Sequence, residues 1–459
     1  MRKLIILDDA PRLYDNPLLS GLSTDDVLVL QLPLGQTRQA VMLRQVRQQF
    51  AEQLQRLGCQ VVLQPASSAM AIASLASAHD CACIVLNQPV AWDETTWLAA
   101  LRQSTTLVVQ VVDANSLLTD TLAPELGKVP PSYSQFRRAR EPELRVSPAV
   151  DHAFYSDLHT DLHTDPRKAL PLTGQPPSPH AGYAHAPDDL VFGPFAGTPL
   201  PCDEHSWRQH MQHYIHHSMH HYKQRRNELL GADFASFFST PLALGLLGVR
   251  DLYQHIVSYE RLHGENPSSQ WLKFELWWRE YFRWVFRQEG RQCFLGLGRQ
   301  PLPTPVPKSQ QQLHLRAWQQ GRTGVPLVDA NMRLLLQTGL MSNRGRQLVA
   351  SYLVFDLGVD WRLGAAWFEQ QLLDYDVASN YGNWAYISGA LYSPARWFNQ
   401  LKQAAEYDKR GDFVAAVLPE ICASKPPGMA RHQPYIADLG LPFDRRWYEY
   451  LQHADAGLV

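Results

Sequence analysis

Short apolar runs alternate with amphipathic stretches over the first 112 residues of the chain. Helical periods such as 39–57 separate most of these runs, which lie at 4–7, 27–32, 60–63, 83–86 and 107–112. Apolar strands that alternate with amphipathic helices are typical of a parallel sheet covered on both faces. The pattern therefore predicts a doubly wound α/β domain at residues 1–125. This half contains no GxGxxG sequence, so no nucleotide fingerprint is expected in it.

The pattern changes where proline becomes frequent. Residues 166–201 contain nine prolines, and proline fixes φ and removes a hydrogen-bond donor. We therefore predict an interdomain linker or loop at residues 126–204. From residue 205 onward the periodicity is almost entirely helical, and ten of the thirteen tryptophans lie beyond residue 270. Residues 205–459 are predicted to form an all-α, aromatic-rich domain.

Charge and cysteine content restrict the class of protein. A formal net charge of -2 excludes a cationic coat for nucleic acid. The six cysteines include no CxxC pair and no spacing that completes a zinc site. The first apolar run is too short for a secretory signal, and the stretch 241–249 is too short to span a bilayer. We expect a soluble cytoplasmic protein with reduced thiols and no membrane contact.

Four histidines lie in the stretch 207–222, and their spacing of three and four residues puts them on one face of a helix. They are His210, His213, His217 and His220. Imidazoles one turn apart can share a metal ion. No acidic ligand completes such a set, so a solvated polar face is the favoured interpretation and no metal is expected.

Two stretches in the C-terminal half carry candidate chemistry. Residues 311–350 contain five arginines and one carboxylate, Asp329, which suits phosphate binding and equally suits solubility. The stretch 374–384 then combines closely spaced carboxylates with carboxamides and an aromatic residue. These groups can hydrogen-bond a ring N–H or sugar-like hydroxyls, or they can cap a turn between two helices.

Residues 323–384 resemble the flavin site of the cryptochrome/photolyase family. The runs MSNRGRQ (341–347) and SNYGNW (379–384) are similar to the family's DASH-type cryptochromes in particular. Similarity extends over nearly the whole chain, with further matches at 222–231, 274–281, 411–420, 12–16 and 131–137. The resemblance implies an antenna-type α/β domain followed by a helical domain that holds FAD in a folded conformation, in a monomer.

The same resemblance implies which residues contact FAD. The pyrophosphate side would be contacted by Tyr222, Ser236 and Ser239. The ribityl chain and the isoalloxazine ring would be surrounded by Arg279, Asn343, Arg346, Asp374, Asp376 and Asn380. Asn380 would face flavin N5 and accept a hydrogen bond there. Arg346 and Asp374 would form a buried ion pair, which is costly unless fully hydrogen-bonded.

The family's reaction is light-driven electron transfer from reduced FAD to a cyclobutane pyrimidine dimer flipped out of DNA. Glu275 and Trp278 match the residues that hydrogen-bond and stack the dimer. Gln347 and Tyr386 follow the DASH pattern, where many duplex photolyases have Met and Trp. A more polar pocket offsets less of the cost of opening a duplex. The resemblance therefore implies a deoxyribodipyrimidine photolyase that acts mainly on single-stranded DNA.

Photoreduction of the flavin would use a chain of tryptophans. Trp384 and Trp361 match its proximal and middle members, whereas the distal position falls at Lys308. The chain to solvent is then broken unless another aromatic residue, such as Trp318 or Trp397, substitutes.

Two further departures from the family pattern affect cofactors. In the phosphate loop, 234–239, Ala235 replaces a common hydroxyl and Phe237 replaces a common basic residue, which predicts weaker FAD binding. The N-terminal motif 7–12 is also altered. A folate antenna, with Glu141 beside Arg137, is therefore only a secondary expectation.

Two alternatives to repair stay open at this point. The chain can be a blue-light photoreceptor that has the same flavin pocket and repairs little. It can also be a flavin-binding helical protein without photochemical duty, against which the aligned Glu275, Trp278 and Asn380 argue.

Overall fold

A parallel five-stranded sheet forms the N-terminal part of the chain. The computed structural model describes residues 1–118, 129–144, 192–194, 200–297 and 306–435. The strands are β1 Lys3–Ile6, β2 Val27–Leu32, β3 Gln60–Pro65, β4 Cys83–Asn87 and β5 Val108–Val112. They pair in the order β3-β2-β1-β4-β5, and each pairing is parallel. The predicted doubly wound α/β domain is confirmed.

Helices cover both faces of this sheet, as α1 Arg38–Arg56, α2 Ala69–Ala78 and α3 Trp92–Ser104. Thr37 starts α1 by accepting a hydrogen bond from the N–H of Ala40, which satisfies an amide that the helix leaves unpaired. Leu4 and Ile6 of β1 pack against α2 and α3, whereas Ile5 packs against α1. Strands buried on both faces are continuously apolar, and this explains why the sequence pattern located β1, β2 and β4. The edge strands β3 and β5 are partly exposed.

Helices dominate the described residues from 204 onward. They are α5 Glu204–His217, α6 Tyr222–Arg225, α7 Ser239–Ala243, α8 Val249–His263, α9 Pro267–Glu289, α10 Lys308–Gln319, α11 Pro326–Thr338, α12 Asn343–Ser351, α13 Trp361–Gln371, α14 Val377–Ser388, α15 Gln400–Tyr407, α16 Asp412–Val417 and α17 Pro419–Cys422, with α4 Tyr133–Arg140 preceding them. The largest apolar core joins α9 to α14. A π-helical turn, Tyr352–Asp356, follows α12. None of the described helices has the length and apolar character needed to cross a membrane.

The helix α4 lies inside the segment predicted as an irregular loop, so that prediction was wrong for these residues. Ser132 caps α4 by accepting from the N–H of Gln135. Phe136 is fully buried and packs its ring against Trp277 and Tyr281 of α9. A short amphipathic stretch can be helical when a neighbouring domain buries its apolar face. Most of the proline-rich stretch that motivated the loop prediction lies outside the described residues.

The four histidines do not share one helical face, which corrects the sequence interpretation. Helix α5 ends at His217, and a 3-10 turn at Met219–His221 carries His220 away from the face. His213 and His217 stack with ring centroids 4.4 Å apart, while His210 bonds a backbone carbonyl. In the described ranges, no group of three or more His, Cys, Asp or Glu side chains is arranged to hold a metal ion.

Buried charged side chains join the sheet to the helical part. Arg12, which is fully buried, bonds the carbonyl of Gly245 at 2.9 Å. Glu280 of α9, also fully buried, accepts from the N–H groups of Leu117 at 2.9 Å and Leu118 at 3.0 Å. Buried charges are tolerated when they are hydrogen-bonded. These bonds therefore hold α9 against the chain that leaves the carboxyl end of β5.

Candidate functional site

A cleft between α12, α13 and α14 brings together most of the residues that the sequence assigned to the flavin. It encloses about 530 Å³ of free space, part of which is open to solvent. Its polar lining comprises Asn343, Arg346, Gln347, Asp374, Asp376, Ser379, Asn380 and Asn383. Its apolar and aromatic lining comprises Ala350, Phe368, Leu372, Tyr375, Trp384 and Ile387. Asp376 also starts α14 by accepting from the N–H of Ser379, so the same residue caps a helix and lines the cleft, and its contact with the flavin stays a prediction.

Arg346 and Asp374 form the expected ion pair across the cleft. Nη2 of Arg346 lies 2.9 and 2.8 Å from the two carboxylate oxygens of Asp374. The Asp374 side chain is only 2% exposed, and Nε of Arg346 donates to the carbonyl of Met341. Arg346 is thus bonded both to Asp374 and to the backbone, which offsets part of the cost of removing the pair from water.

Arg279, which the sequence assigned to the flavin, does not line the cleft, although its charge acts on Asp376. It lines a second, interdomain cavity together with Arg283 and Asp376, and it donates to the carbonyl of Asn115 at 2.8 Å. Burial beside Arg283 lowers the pKa of Arg279 to about 10. Burial opposes ionisation of Asp376, but the two arginines outweigh it and the pKa of Asp376 is lowered. Asp376 therefore presents a stable negative charge to the cleft.

Asn380 presents an oxygen to the cleft. Its Nδ2 donates to the carbonyl of Ala365 on α13 at 3.0 Å. The Oδ1 atom accepts no hydrogen bond from the part of the chain that the structure describes. Because the amide nitrogen is engaged, the side chain offers an acceptor, which is the group that a flavin N–H requires.

The cleft fits a flavin nucleotide. A flavin ring has apolar faces and a hydrogen-bonding edge, and its ribityl chain carries hydroxyls that both donate and accept. Carboxylates, a guanidinium and amides line one part of the cleft, and aromatic and aliphatic side chains line the other. Binding sites of this kind combine apolar walls with a few fixed polar groups. The donor set therefore suits FAD.

Glu275 on α9 does not line the cleft and forms a separate cluster with two neighbours. Its Oε1 lies 2.6 Å from Nη1 of Arg226 and 3.1 Å from Nε1 of Trp271. Burial raises the pKa of Glu275, and Arg226 opposes this shift. Tyr222 belongs to the same cluster, since Glu275 and Arg226 both influence its hydroxyl.

Trp278, one turn beyond Glu275, stands in an aromatic corner. Tyr386 of α14 meets it with centroids 5.1 Å apart and planes at 69°. Tyr133 of α4 lies flat against it. The hydroxyl of Tyr386 accepts a hydrogen bond from Arg396, whose guanidinium lies 4.5 Å from the Tyr386 ring centre. Gln347 does not join this corner and lines the flavin cleft instead.

The phosphate loop is apart from the lining of the cleft. Oγ of Ser236 accepts from the N–H of Phe238 at 3.5 Å, and the Ser236 carbonyl is bonded by Nε2 of His210 at 2.9 Å. Ser239 is exposed and begins α7. The structure therefore leaves the predicted contact of Ser236 and Ser239 with pyrophosphate as a prediction.

The matched tryptophans are buried but have different neighbours. Trp384 lines the cleft, and its ring packs on Gly364, where a Cβ would lie 2.3 Å from the ring. Trp361 contacts the Tyr381 ring at 6.4 Å. Trp318 is fully buried 5.9 Å from Trp384. The matched distal residue, Lys308, is exposed at the start of α10.

The arginine-rich stretch does not form one basic surface. Arg346 is paired inside the cleft, and Arg333 bonds Glu420. Arg344 bonds Asn227 at 3.2 Å. These arginines are close in the sequence, but their side chains have different partners in the structure. The sequence therefore overestimated how far they form a common basic surface.

The residues proposed for an antenna pair with one another. Nε of Arg137 lies 2.8 Å from Oε2 of Glu141, one helical turn further along the chain. This local ion pair is sufficient to explain why the two side chains lie together. The folate antenna therefore stays a prediction.

Fold and cleft together define a flavin-binding protein with a sheet domain docked on a helical domain. Residues 271–440 match the model of the FAD binding domain of DNA photolyase. A cryptochrome DASH from Synechocystis is 34% identical over 438 residues, which cover 90% of this chain and 85% of that protein. A cryptochrome DASH from Xenopus laevis is 40% identical over 317 residues, and the match spans 68% of this chain and 57% of the Xenopus protein.

Solved structures agree with this relation. The crystal structure of a Synechocystis cryptochrome superposes with a TM-score of 0.80 and 30% identity, covering 94% of this chain and 91% of that one. A class III photolyase from Agrobacterium tumefaciens shares the fold with a TM-score of 0.73 at 21% identity. The chain belongs to the cryptochrome/photolyase family, in its DASH branch, and FAD is its cofactor.

Sequence reasoning missed two partners in the site. Arg226 pairs with Glu275 from 49 positions away, and Tyr133 covers Trp278 from a segment predicted as loop. Both residues lie within stretches that resemble the family, which was the available signal. The pairings themselves needed the tertiary structure.

Proposed function

We propose that the chain is a light-driven, FAD-dependent photolyase that acts on cyclobutane pyrimidine dimers, mainly in single-stranded DNA. The observation that carries this proposal is the corner between Trp278 and Tyr386, because Tyr386 lies on a helix that also lines the flavin cleft. Helix α14 carries Tyr386 and also Asn380 and Trp384, which line the cleft. A base held in the corner would therefore lie close to the flavin.

In this proposal the chain holds FAD through two groups of residues. Asn343, Arg346, Asp374, Asp376 and Asn380 hold the ring and the ribityl chain, and Tyr222, Ser236 and Ser239 contact the pyrophosphate. Reduced FAD, when bound, supplies the excited electron that splits the dimer. Arg346 and Asp374 fix polar groups around the ring, and Arg279 stabilises the charge of Asp376 from outside the cleft.

Trp278 and Tyr386 would receive the flipped dimer. Their planes stand at 69°, so they offer two walls to the paired bases, and base–aromatic stacking contributes about 1–3 kcal/mol per base. Glu275 lies one helical turn before Trp278. With a raised pKa, its protonated carboxyl can donate to a base carbonyl that gains negative charge.

Polar groups in the corner support the single-strand preference. The Tyr386 ring and hydroxyl are engaged by Arg396, which puts a cation at one wall of the corner. Such walls bury less apolar surface against the dimer. Opening a duplex costs a few kcal/mol, and each 1.4 kcal/mol is about a tenfold change. Single-stranded dimers should therefore be repaired at least about tenfold more efficiently.

Cations at the rim would contact the DNA backbone. Arg396 contacts Tyr386 at the corner, and Arg344 bonds Asn227, the neighbour in sequence of the Arg226 that pairs with Glu275. Phosphate contacts by such side chains bring affinity that falls with salt and carry no sequence information. This agrees with a substrate that is defined by a lesion.

The proposal is tested by illuminating the reduced protein with matched oligonucleotides. Single-stranded and duplex DNA of the same sequence, each with one thymine dimer, are assayed for restored thymines. We expect repair of the single strand and at least about tenfold slower repair of the duplex. Equal repair of both substrates would contradict the assignment of the pocket.

Absence of any repair would favour the alternative, a blue-light photoreceptor. The ion pair between Arg226 and Glu275 is the observation that supports this alternative. An ionised Glu275 accepts hydrogen bonds but cannot donate one to a dimer.

A further inference from the structure

The phosphate loop contains a residue in an unusual backbone conformation. Among the residues that the structure describes, three that are not glycine have a positive φ, and Phe237 is one of them, at 57°. The other two are aspartates, which tolerate this region better than an aromatic residue does. A non-glycine residue stays in the left-handed region only when its surroundings hold it there.

Two other phenylalanines hold Phe237. Its ring meets Phe234 edge-on at 5.4 Å and Phe192 edge-on at 5.8 Å. Phe192 and Phe234 also contact each other at 5.5 Å. We call Phe192, Phe234 and Phe237 the aromatic clamp. Two of its members belong to the loop, and the third comes from a distant segment.

Phe192 is itself fixed by the backbone. The N–H of Gly193 donates to the carbonyl of Gly231 at 3.0 Å, and Phe192 forms a bridge with Gly231. Gly193 has a φ of 92°, and a Cβ there would lie 3.2 Å from the Phe237 ring. The 192–194 segment therefore packs closely on the loop.

The conformation of Phe237 affects the amides of the loop. Phe238, with φ −67° and ψ −15°, is right-handed and follows the left-handed Phe237. Two such residues in succession turn neighbouring backbone N–H groups toward one side, which creates a concavity that binds anions. The N–H of Phe238 also makes a long hydrogen bond of 3.5 Å to Oγ of Ser236, which a bound phosphate would have to replace or share. The loop is also held from behind, where His210 bonds the Ser236 carbonyl.

We infer that the aromatic clamp is a positioning device for the FAD pyrophosphate. It holds Phe237 left-handed, so that loop amides bind the phosphates where this loop lacks the basic side chain of its relatives. The inference rests on the proposed contact of the pyrophosphate with Ser236 and Ser239. In this loop the phosphates are thus held by a fixed backbone and not by the charge of a basic side chain. Because Phe192 helps to fix that backbone, the affinity for FAD depends on the 192–194 segment.

The test measures the dissociation constant of FAD for the apoprotein, by quenching of FAD fluorescence and without any assay of repair. Phe192→Ala is expected to raise the constant at least tenfold. Phe237→Gly is expected to bind FAD more tightly than Phe237→Ala, because glycine reaches the positive φ without strain. Phe413→Ala is the matched control, since Phe413 is buried in the same apolar cluster but lies outside the loop. It should leave the constant within twofold of wild type.

Phe192→Leu keeps apolar volume and protects the test against misfolding, which circular dichroism monitors. It should weaken FAD binding less than Phe192→Ala does. If both Phe192 variants have the wild-type dissociation constant for FAD, the role of the aromatic clamp is contradicted. An equal loss of FAD affinity in Phe413→Ala contradicts it as well. Ser239→Ala separates this failure from that of the proposed function. If Ser239→Ala weakens FAD while the Phe192 variants do not, only the clamp fails. If none of these variants changes the constant, the pyrophosphate does not lie at this loop.

Discussion

The ring of Tyr133 stacks on the indole of Trp278, with centroids 3.8 Å apart and planes only 5° from parallel. Tyr133 is 6% exposed, and its hydroxyl donates to the carbonyl of Phe274 at 3.0 Å. One face of the indole is thus covered by the protein. A substrate base has to use the remaining surface of Trp278, which faces the corner with Tyr386.

Tyr133→Leu should weaken binding of dimer-containing single-stranded DNA roughly two- to tenfold. An aromatic pair contributes about 0.5–1.5 kcal/mol beyond its buried area, and without it Trp278 loses its support. Tyr133→Phe keeps the stack and should stay near wild type. Binding is measured by fluorescence anisotropy, with FAD content as the control. Equal losses in both variants would show that the hydroxyl, and not the stacking, carries the effect.

Asp374→Ala should reduce retention of FAD and lower the free energy of unfolding by about 3 kcal/mol. Removing one partner of a buried ion pair leaves the other charge uncompensated, and here Arg346 would be left. Asp412→Ala is the control, because Asp412 is 58% exposed and pairs at the surface. Flavin absorbance per protein and urea unfolding report the two effects. Unchanged flavin content would count against the cleft as the FAD site.

Trp384→Phe should slow or abolish photoreduction of the flavin under blue light and leave FAD bound. Trp384 lines the cleft and is the matched first electron donor. Trp318→Phe tests whether Trp318, which is as buried and lies 5.9 Å from Trp384, carries electrons in place of the matched path through Trp361. The decay of the absorbance of oxidised flavin gives both rates. A slow Trp318 variant with a normal Trp384 variant would reveal a different entry route.

Repair should fall as pH rises through the pKa of Glu275. Burial raises that pKa, so the carboxyl stays protonated, and able to donate, above the ordinary value for glutamate. Ionisation at higher pH removes the donor. Glu275→Gln should keep activity and lose this dependence, whereas Glu275→Ala should lose repair strongly. Arg226→Gln removes the opposing cation and should move the decline to higher pH. A flat profile in wild type would exclude the donor role.

The inner strands β1, β2 and β4 were predictable because they are buried on both faces along nearly their whole length and are therefore almost continuously apolar. The edge strands β3 and β5 are partly exposed and were predictable from their valine-rich runs. The ion pair of Arg346 with Asp374 was predictable only through the family resemblance, since 28 positions separate the two residues. Helix α4 was not predictable from the sequence, because its stability comes from burial of Phe136 against α9. The left-handed backbone of Phe237 could not be predicted from the sequence either, since a phenylalanine rarely adopts a positive φ. The packing that holds it there comes from Phe192, which is distant in the sequence.

Helix α9 carries residues of the candidate site in its first half and contacts the sheet domain through its second half. Its first half carries Glu275 and Trp278, while Glu280 in its second half is bonded to the chain leaving the sheet. Five residues, or about 7.5 Å of helix, separate Glu275 from Glu280. Cutting away the α/β domain would strip a fully buried carboxylate of two donors. The helical half should consequently not survive as a minimal enzyme, and a truncated version for engineering would need Glu280 replaced by an apolar residue.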